Sequence, residues 1–304
     1  MGSSRARPRT RLVVGVSAAI AAAAGLALPL AFASSPPATT QAVGPRSFVS
    51  GLDLECFDTP GPALNQTVVL THLNPVLRQL GLPAHQAVIG ALAQTCVPVS
   101  KNGVTPAADV LAFIQHVDLA CYKITTPALS PVTTLVLKHL NPVLANLPSH
   151  NDTLLQGEQL CLPVGKNGVK PPDTVLKLVQ FIDLECYRTE ATAHPTFGVT
   201  LKQLNPQLGN IASHNLTLTS TPRQLCVPVQ KNQQQIPTDV LNFVQWVDLE
   251  KFPAAQVVSV GPVNVSLDHL NPLFTTLPRV PVTLRQASAL MVPVSKNGAV
   301  PPLP

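Results

Sequence analysis

The sequence predicts a mainly β protein built from four tandem β-rich units of 65 residues, each with a short helical turn. Three observations point that way. Cysteines stand at Cys56, Cys121 and Cys186, and again at Cys96, Cys161 and Cys226, so both series advance by 65. Apolar Val117, Leu119 and Cys121 alternate with Asp118 and Ala120, the period of a half-buried strand, and the other units repeat the pattern. Asn102-Gly103, Asn167-Gly168 and Asn297-Gly298 are hairpin-turn signals.

Residues 1–33 read as a signal peptide. Arg5, Arg7, Arg9 and Arg11 form a basic start, residues 12–30 are apolar, and Ala31-Phe32-Ala33 supplies the small-x-small pattern that places cleavage between Ala33 and Ser34. The apolar stretch is long enough to span a bilayer, so an uncleaved membrane anchor is the rival reading; Pro29 and the Ala-Phe-Ala pattern favour cleavage. Residues 34–47, rich in Ser, Pro, Thr and Ala, read as a disordered linker. The leader carries four of the 20 basic residues and none of the 15 acidic ones, so its removal lowers the net charge from +5 to +1. That leaves no basic stripe, and a nucleic-acid partner is disfavoured.

The units cover residues 48–112, 113–177, 178–242 and 243–304, the last without cysteines. Each opens with an apolar segment running into Asp-Leu, the first cysteine position and an aromatic: Phe57, Tyr122, Tyr187 or Phe252. This segment is read as a strand. The junction residues Val110, Leu111, Phe113 and Ile114, and likewise Val240, Leu241, Phe243 and Val244, have a spacing that also fits a helical turn. Their apolarity implies that neighbouring units pack together, as an open rod or as a closed ring. In the middle of each unit, Asn74-Pro75, Asn141-Pro142, Asn205-Pro206 and Asn271-Pro272 match a helix N-cap followed by proline at the first helical position. Each unit closes on a second strand carrying Pro98, Pro163, Pro228 or Pro293. Because proline cannot donate to a ladder, that strand is expected at an edge or with a bulge.

An exported chain with six regularly spaced cysteines reads as a disulfide framework. In the fourth unit both cysteine positions change together, to Lys251 and Met291. Joint loss favours pairing within units, Cys56–Cys96, Cys121–Cys161 and Cys186–Cys226, over the inter-unit set Cys96–Cys121 and Cys161–Cys186. A 65-residue unit buries only about 60% of its unfolded surface, so its own core is marginal. Closing a 41-residue loop contributes about 4 kcal/mol in the chain-entropy model. The fourth unit is then expected to lean on the third.

Two motifs carry a resemblance. Cys121-Tyr122-Lys123, together with the Leu-Cys-x-Pro-Val-x-Lys-Asn-Gly run over residues 160–168, resembles an uncharacterised tandem domain of secreted bacterial proteins. The likeness covers residues 48–304 and fits the second unit best. It implies architecture and export, and carries no activity and no functional residue.

Chemistry is sparse. Asp53, Asp118, Asp183 and Asp248 recur, as do Lys101, Lys166, Lys231 and Lys296, and turn or cap roles explain them better than a ligand site repeated four times. The eight histidines show no cluster in the sequence: His72, His139 and His269 precede the middle Asn by two residues, and Gln203 replaces them in the third unit. No catalytic, cofactor-binding or metal-binding residue is assigned, and no cofactor. The recurring aromatics are expected to pack beside the strands, with a row of glycan-stacking faces as the sharper alternative. The reading is a secreted or envelope-associated, disulfide-stapled structural or multivalent binding module and not an enzyme. Its partner would be an envelope polymer or another surface protein. The alternatives are an exported hydrolase with a site assembled from loops, and a membrane-anchored surface protein.

Overall fold

A computed structural model describes residues 43–303. The expected leader, its cleavage point at Ala33/Ser34 and most of the expected linker lie outside the described residues. In chain order the first half holds α1 (Pro45–Ser50), β1 (Leu54–Asp58), β2 (Ala63–His72), α2 (Pro75–Gln79), β3 (His85–Lys101), α3 (Ala108–Ile114), β4 (Leu119–Thr125), β5 (Ala128–His139) and β6 (His150–Lys166). The second half holds α4 (Asp173–Val179), β7 (Leu184–Ala191), β8 (Phe197–Gln203), β9 (His214–Leu218), β10 (Gln224–Lys231), α5 (Thr238–Val244), β11 (Leu249–His269) and β12 (Val280–Lys296).

The strands close on themselves. β1 pairs with β3, β3 with β4, β4 with β6, β6 with β7, β7 with β10, β10 with β11, β11 with β12 and β12 with β1, every pair antiparallel. An eight-stranded circuit leaves a lumen just wide enough for side chains to fill. The arrangement is therefore a ring and not a rod. Cys56 faces Cys96, Cys121 faces Cys161 and Cys186 faces Cys226 across antiparallel pairs, and each couple is disulfide-bonded. Lys251 faces Met291 at the fourth such position. These side chains share the lumen: Sγ of Cys96 lies 3.8 Å from that of Cys121, and Sγ of Cys161 lies 3.6 Å from that of Cys186.

Helices plug one end. Phe48 of α1, Ile114 of α3, Val179 of α4 and Val244 of α5 pack with Leu54, Leu119, Leu184, Leu249 and the disulfides in one buried cluster. The apolar junctions are thus helices, because the i, i+3, i+4 spacing gives each a stripe to bury against its neighbours. The unit boundaries at 113, 178 and 243 consequently fall inside α3, α4 and α5. The linker expected over 34–47 is corrected at its end: residues 45–47 begin α1. Arg46 fixes that helix, its backbone N–H donating to Pro302 O at 3.2 Å and its Nε to Pro301 O at 2.9 Å.

Hairpins cover the outer face of the circuit. β2 with the start of β3, β5 with the start of β6, β8 with β9, and the two ends of β11 and β12 form these hairpins. Each reaches the strand end of the unit two places on: β2 pairs with β10, β8 with β3, β5 with β12 and β11 with β6. Phe57, Tyr122 and Phe252 lie in one buried cluster between the layers together with hairpin residues such as Leu70, Leu201 and Leu267. The expectation of four separate marginal cores is corrected, since every buried cluster combines residues from several units.

The closing prolines do not mark an edge. Pro98 stands opposite Leu54 at the point where β3 leaves β4 and takes up β8, and its carbonyl accepts from Leu204 N–H at 2.9 Å. Pro163, Pro228 and Pro293 accept likewise from Leu270, Leu73 and Leu140. A missing donor is tolerated where one ladder ends and the next begins. The first three middle motifs form helical turns and the fourth a hydrogen-bonded turn, and in all four the Oδ1 atoms of Asn74, Asn141, Asn205 and Asn271 accept from the backbone N–H two residues on.

Candidate functional site at the barrel mouth

The lumen end opposite the helices is polar. Gln94, Gln159 and Gln224 stand two residues before Cys96, Cys161 and Cys226, and so project from the same strand face. With Lys123, Arg223 and Lys251 they border a cavity of about 570 Å³. Lys251 forms its floor. The alternation that points the cysteines inward points this side chain inward too, and its greater length carries the amine toward the mouth. Nζ donates to Gln94 Oε1 and to Gln159 Oε1, the latter at 2.8 Å. These partners sit on β3 and β6, across the lumen from β11.

The electrostatics set this lysine apart. Lys101, Lys166, Lys231 and Lys296 are also buried, and each is ion-paired to an aspartate of its own unit: Asp53, Asp118, Asp183 and Asp248 respectively. Lys251 is 5% exposed, and among the described residues it is the one buried lysine without such an ion pair. Burial pushes its pKa from 10.5 down to about 7, against the attraction of Asp58 and Glu158. At neutral pH the amine is thus shared between a cationic hydrogen-bond donor and a neutral base. A ligand anion at this point would supply the direct ion pair that Asp58 and Glu158 do not make.

The recurring residues singled out in the sequence are absorbed by the fold. Each Asp–Lys pair is joined by the middle Asn of the following unit: Asn141 Nδ2 donates to Asp53 at 2.6 Å, Asn205 to Asp118 at 2.9 Å and Asn271 to Asp183 at 2.8 Å. Asn74 of the first unit completes the series with Asp248 of the fourth at 2.6 Å. Buried pairing, rather than turn or cap chemistry, is their role. Phe57, Tyr122, Tyr187 and Phe252 are buried and present no stacking face. The Tyr122 and Tyr187 hydroxyls meet His269 and His72 at 3.0 and 2.9 Å.

The histidines require a correction. His139, His150 and His194 gather with Glu250, one ligand atom of each lying within 4.8 Å of all the others. Sequence distance hid this, because the second hairpin reaches the strand opening the fourth unit. Lys251 was visible as a departure from the cysteine pattern, but nothing in the sequence said that it would point into a mouth. No protein-family model, no curated protein and no solved structure matches this chain.

Proposed function

We propose that this chain is an exported binding protein, not an enzyme, that takes a small carboxylate-bearing ligand into the barrel mouth. The observation that carries the reading is the buried amine of Lys251, which lacks a carboxylate partner and stands at the floor of a polar cavity of about 570 Å³. That volume falls within the range of small-molecule sites. Lys123 and Arg223 at the border outnumber the one carboxylate there, Glu158, and favour an anion further. Three buried disulfides fit an extracellular protein, and no helix among the described residues is long and apolar enough to cross a membrane. Because the units close around one lumen, one ligand per chain replaces the four weak sites of a multivalent array.

The test is a panel of small organic acids and size-matched neutral polyols, read by calorimetry and thermal shift. Acids are expected to bind with one site per chain, more weakly as the pH rises through 7 to 9, and not to the Lys251→Met variant. Absence of acid binding, or equal binding by that variant, overturns the reading.

A further inference from the structure

Three buried glutamates on the outer face of the circuit, Glu55, Glu185 and Glu250, recur at steps of 65 and 130 residues. Each meets the hairpin of the unit two places away. Glu55 lies 2.6 Å from His214 Nε2 and accepts from Gln203 at 2.6 Å. Glu185 lies 2.8 Å from His85 Nε2, and the neighbouring His72 is engaged by the Tyr187 hydroxyl. Glu250 lies 2.6 Å from His150 Nε2 and 3.6 Å from His139 Nε2. At the fourth position both partners are apolar, Ala120 and Val280. A Glu–His contact is therefore a structural element of this fold, and the two simpler sites serve as internal controls for the third.

The Glu250 site departs from them in three ways, all in one direction. Phe252 replaces Tyr187, so no hydroxyl engages His139. His194, from the connection between β7 and β8, adds a third imidazole, its ring centroid 4.1 Å from that of His150 and 5.5 Å from that of His139. Asp152 adds a second carboxylate on β6, two residues from His150, where the register places apolar Ala87, Leu216 and Val282 in the other hairpins. All five side chains belong to residues less than a tenth exposed. Both ring nitrogens of His139 and of His194, Nδ1 of His150, Oε2 of Glu250 and both oxygens of Asp152 are buried without a hydrogen-bond partner. Unpartnered buried polar groups are costly, and their concentration at one place calls for a ligand that satisfies several at once.

We propose that His139, His150, His194 and Glu250 form a site for a divalent transition metal of the zinc type, with Asp152 as an outer carboxylate. Imidazole with one carboxylate is a donor set for zinc, copper or nickel rather than for magnesium or calcium. Ligand atoms within 4.8 Å of one another need to contract by about 1 Å to surround an ion at about 2.0–2.2 Å. Four buried protein ligands make this a closed site that ties the second, third and fourth units together, separate from the lumen and from Lys251.

The experiment uses the full chain, stripped with a chelator and titrated with zinc and with cobalt. The native protein is expected to bind one equivalent of either ion, to gain melting temperature, and to give the visible ligand-field absorption of tetrahedral cobalt. His194→Ala, in a connection outside the strand ladders, should lose stoichiometric binding while keeping the metal-free melting temperature. Asp152→Asn should weaken binding about 10–100-fold with the cobalt spectrum preserved. His85→Ala, at the control site, should bind as the native chain does. Failure of the native protein to bind an equivalent, or binding by His194→Ala as tight as native, overturns the proposal.

Discussion

Asn74 and Asp248 share a hydrogen bond of 2.6 Å across 174 residues of chain, and that bond closes the ring. It repeats for the first and last units the contact that Asn141 makes with Asp53 between adjacent units. The same asparagine also caps its own helical turn through Val76 N–H and donates to Gln245 O at the end of α5.

Asn74→Ala is therefore expected to cost about 3 kcal/mol, from a hydrogen bond to a charged group of about 1.5–3 kcal/mol and a cap of about 1 kcal/mol. Asn141→Ala should cost a similar amount. Urea denaturation of both variants checks this. In an open chain the two positions would differ, because only Asn141 would bridge neighbours, so a negligible cost at Asn74 would contradict closure.

The buried Asp–Lys pairs lead to a second expectation. Desolvation raises the Asp53 pKa to about 6 even though Lys101 lies against it, so the pair has a large solvation cost. Lys101→Met leaves the carboxylate buried and unpaired and should destabilise the fold by about 3–5 kcal/mol. Adding Asp53→Asn should restore most of that loss. Equilibrium unfolding of the single and double variants decides, and a single variant near native stability would show that the ion pair contributes little.

Lys251 predicts a particular pH dependence. Its folded pKa of about 7 lies below the ordinary 10.5 because of burial. Below pH 7 both states carry the proton, and the folded state bears the full cost of a buried ammonium. Between about pH 7 and 10.5 the unfolded chain keeps the proton and the folded chain releases it, so stability rises with pH, by about 5 kcal/mol as an upper figure. The stability difference between native protein and Lys251→Met should shift in that sense from pH 7 to 9.5. A constant difference would place the lysine in water.

All cysteines are fully buried and disulfide-bonded. A reductant can reach them only when the ring opens, so thiol release from the native protein should be slow and should follow the unfolding rate. Near the denaturation midpoint all six should appear together. Thiol titration against time in dithiothreitol measures this, and early release of one pair would mean that its unit opens alone. Each closed loop contributes about 4 kcal/mol in the chain-entropy model, so the reduced chain should melt well below the oxidised one.

Much of this architecture was legible locally, and what was missed was non-local. The alternation around Cys121, the N-caps at Asn74 and Asn141 and the turns at Asn102-Gly103 and Asn167-Gly168 are written in neighbouring residues. Asn232-Gln233 keeps the same left-handed turn, with Gln233 at φ 55°, because the surrounding ladder imposes it. Pro98 misled because a proline says only that a donor is missing, not whether the strand ends there or changes partner. The junction helices were ambiguous because four apolar residues fit either period. The ring, the pairing of Asp53 with Lys101 and the gathering of His139, His150 and His194 depend on hairpins folding over strands two units away. No window along the chain contains that information.

Arg46 and Pro302 bring the beginning and end of the described chain to one spot. The strand order consequently has no privileged starting point. Joining those ends by a short splice and cutting instead at Gly103 or Gly168 would leave every neighbour relation intact. A gene rearranged in this way would encode the same object from a new origin, with the quarter that bears Lys251 moved from last place to the interior.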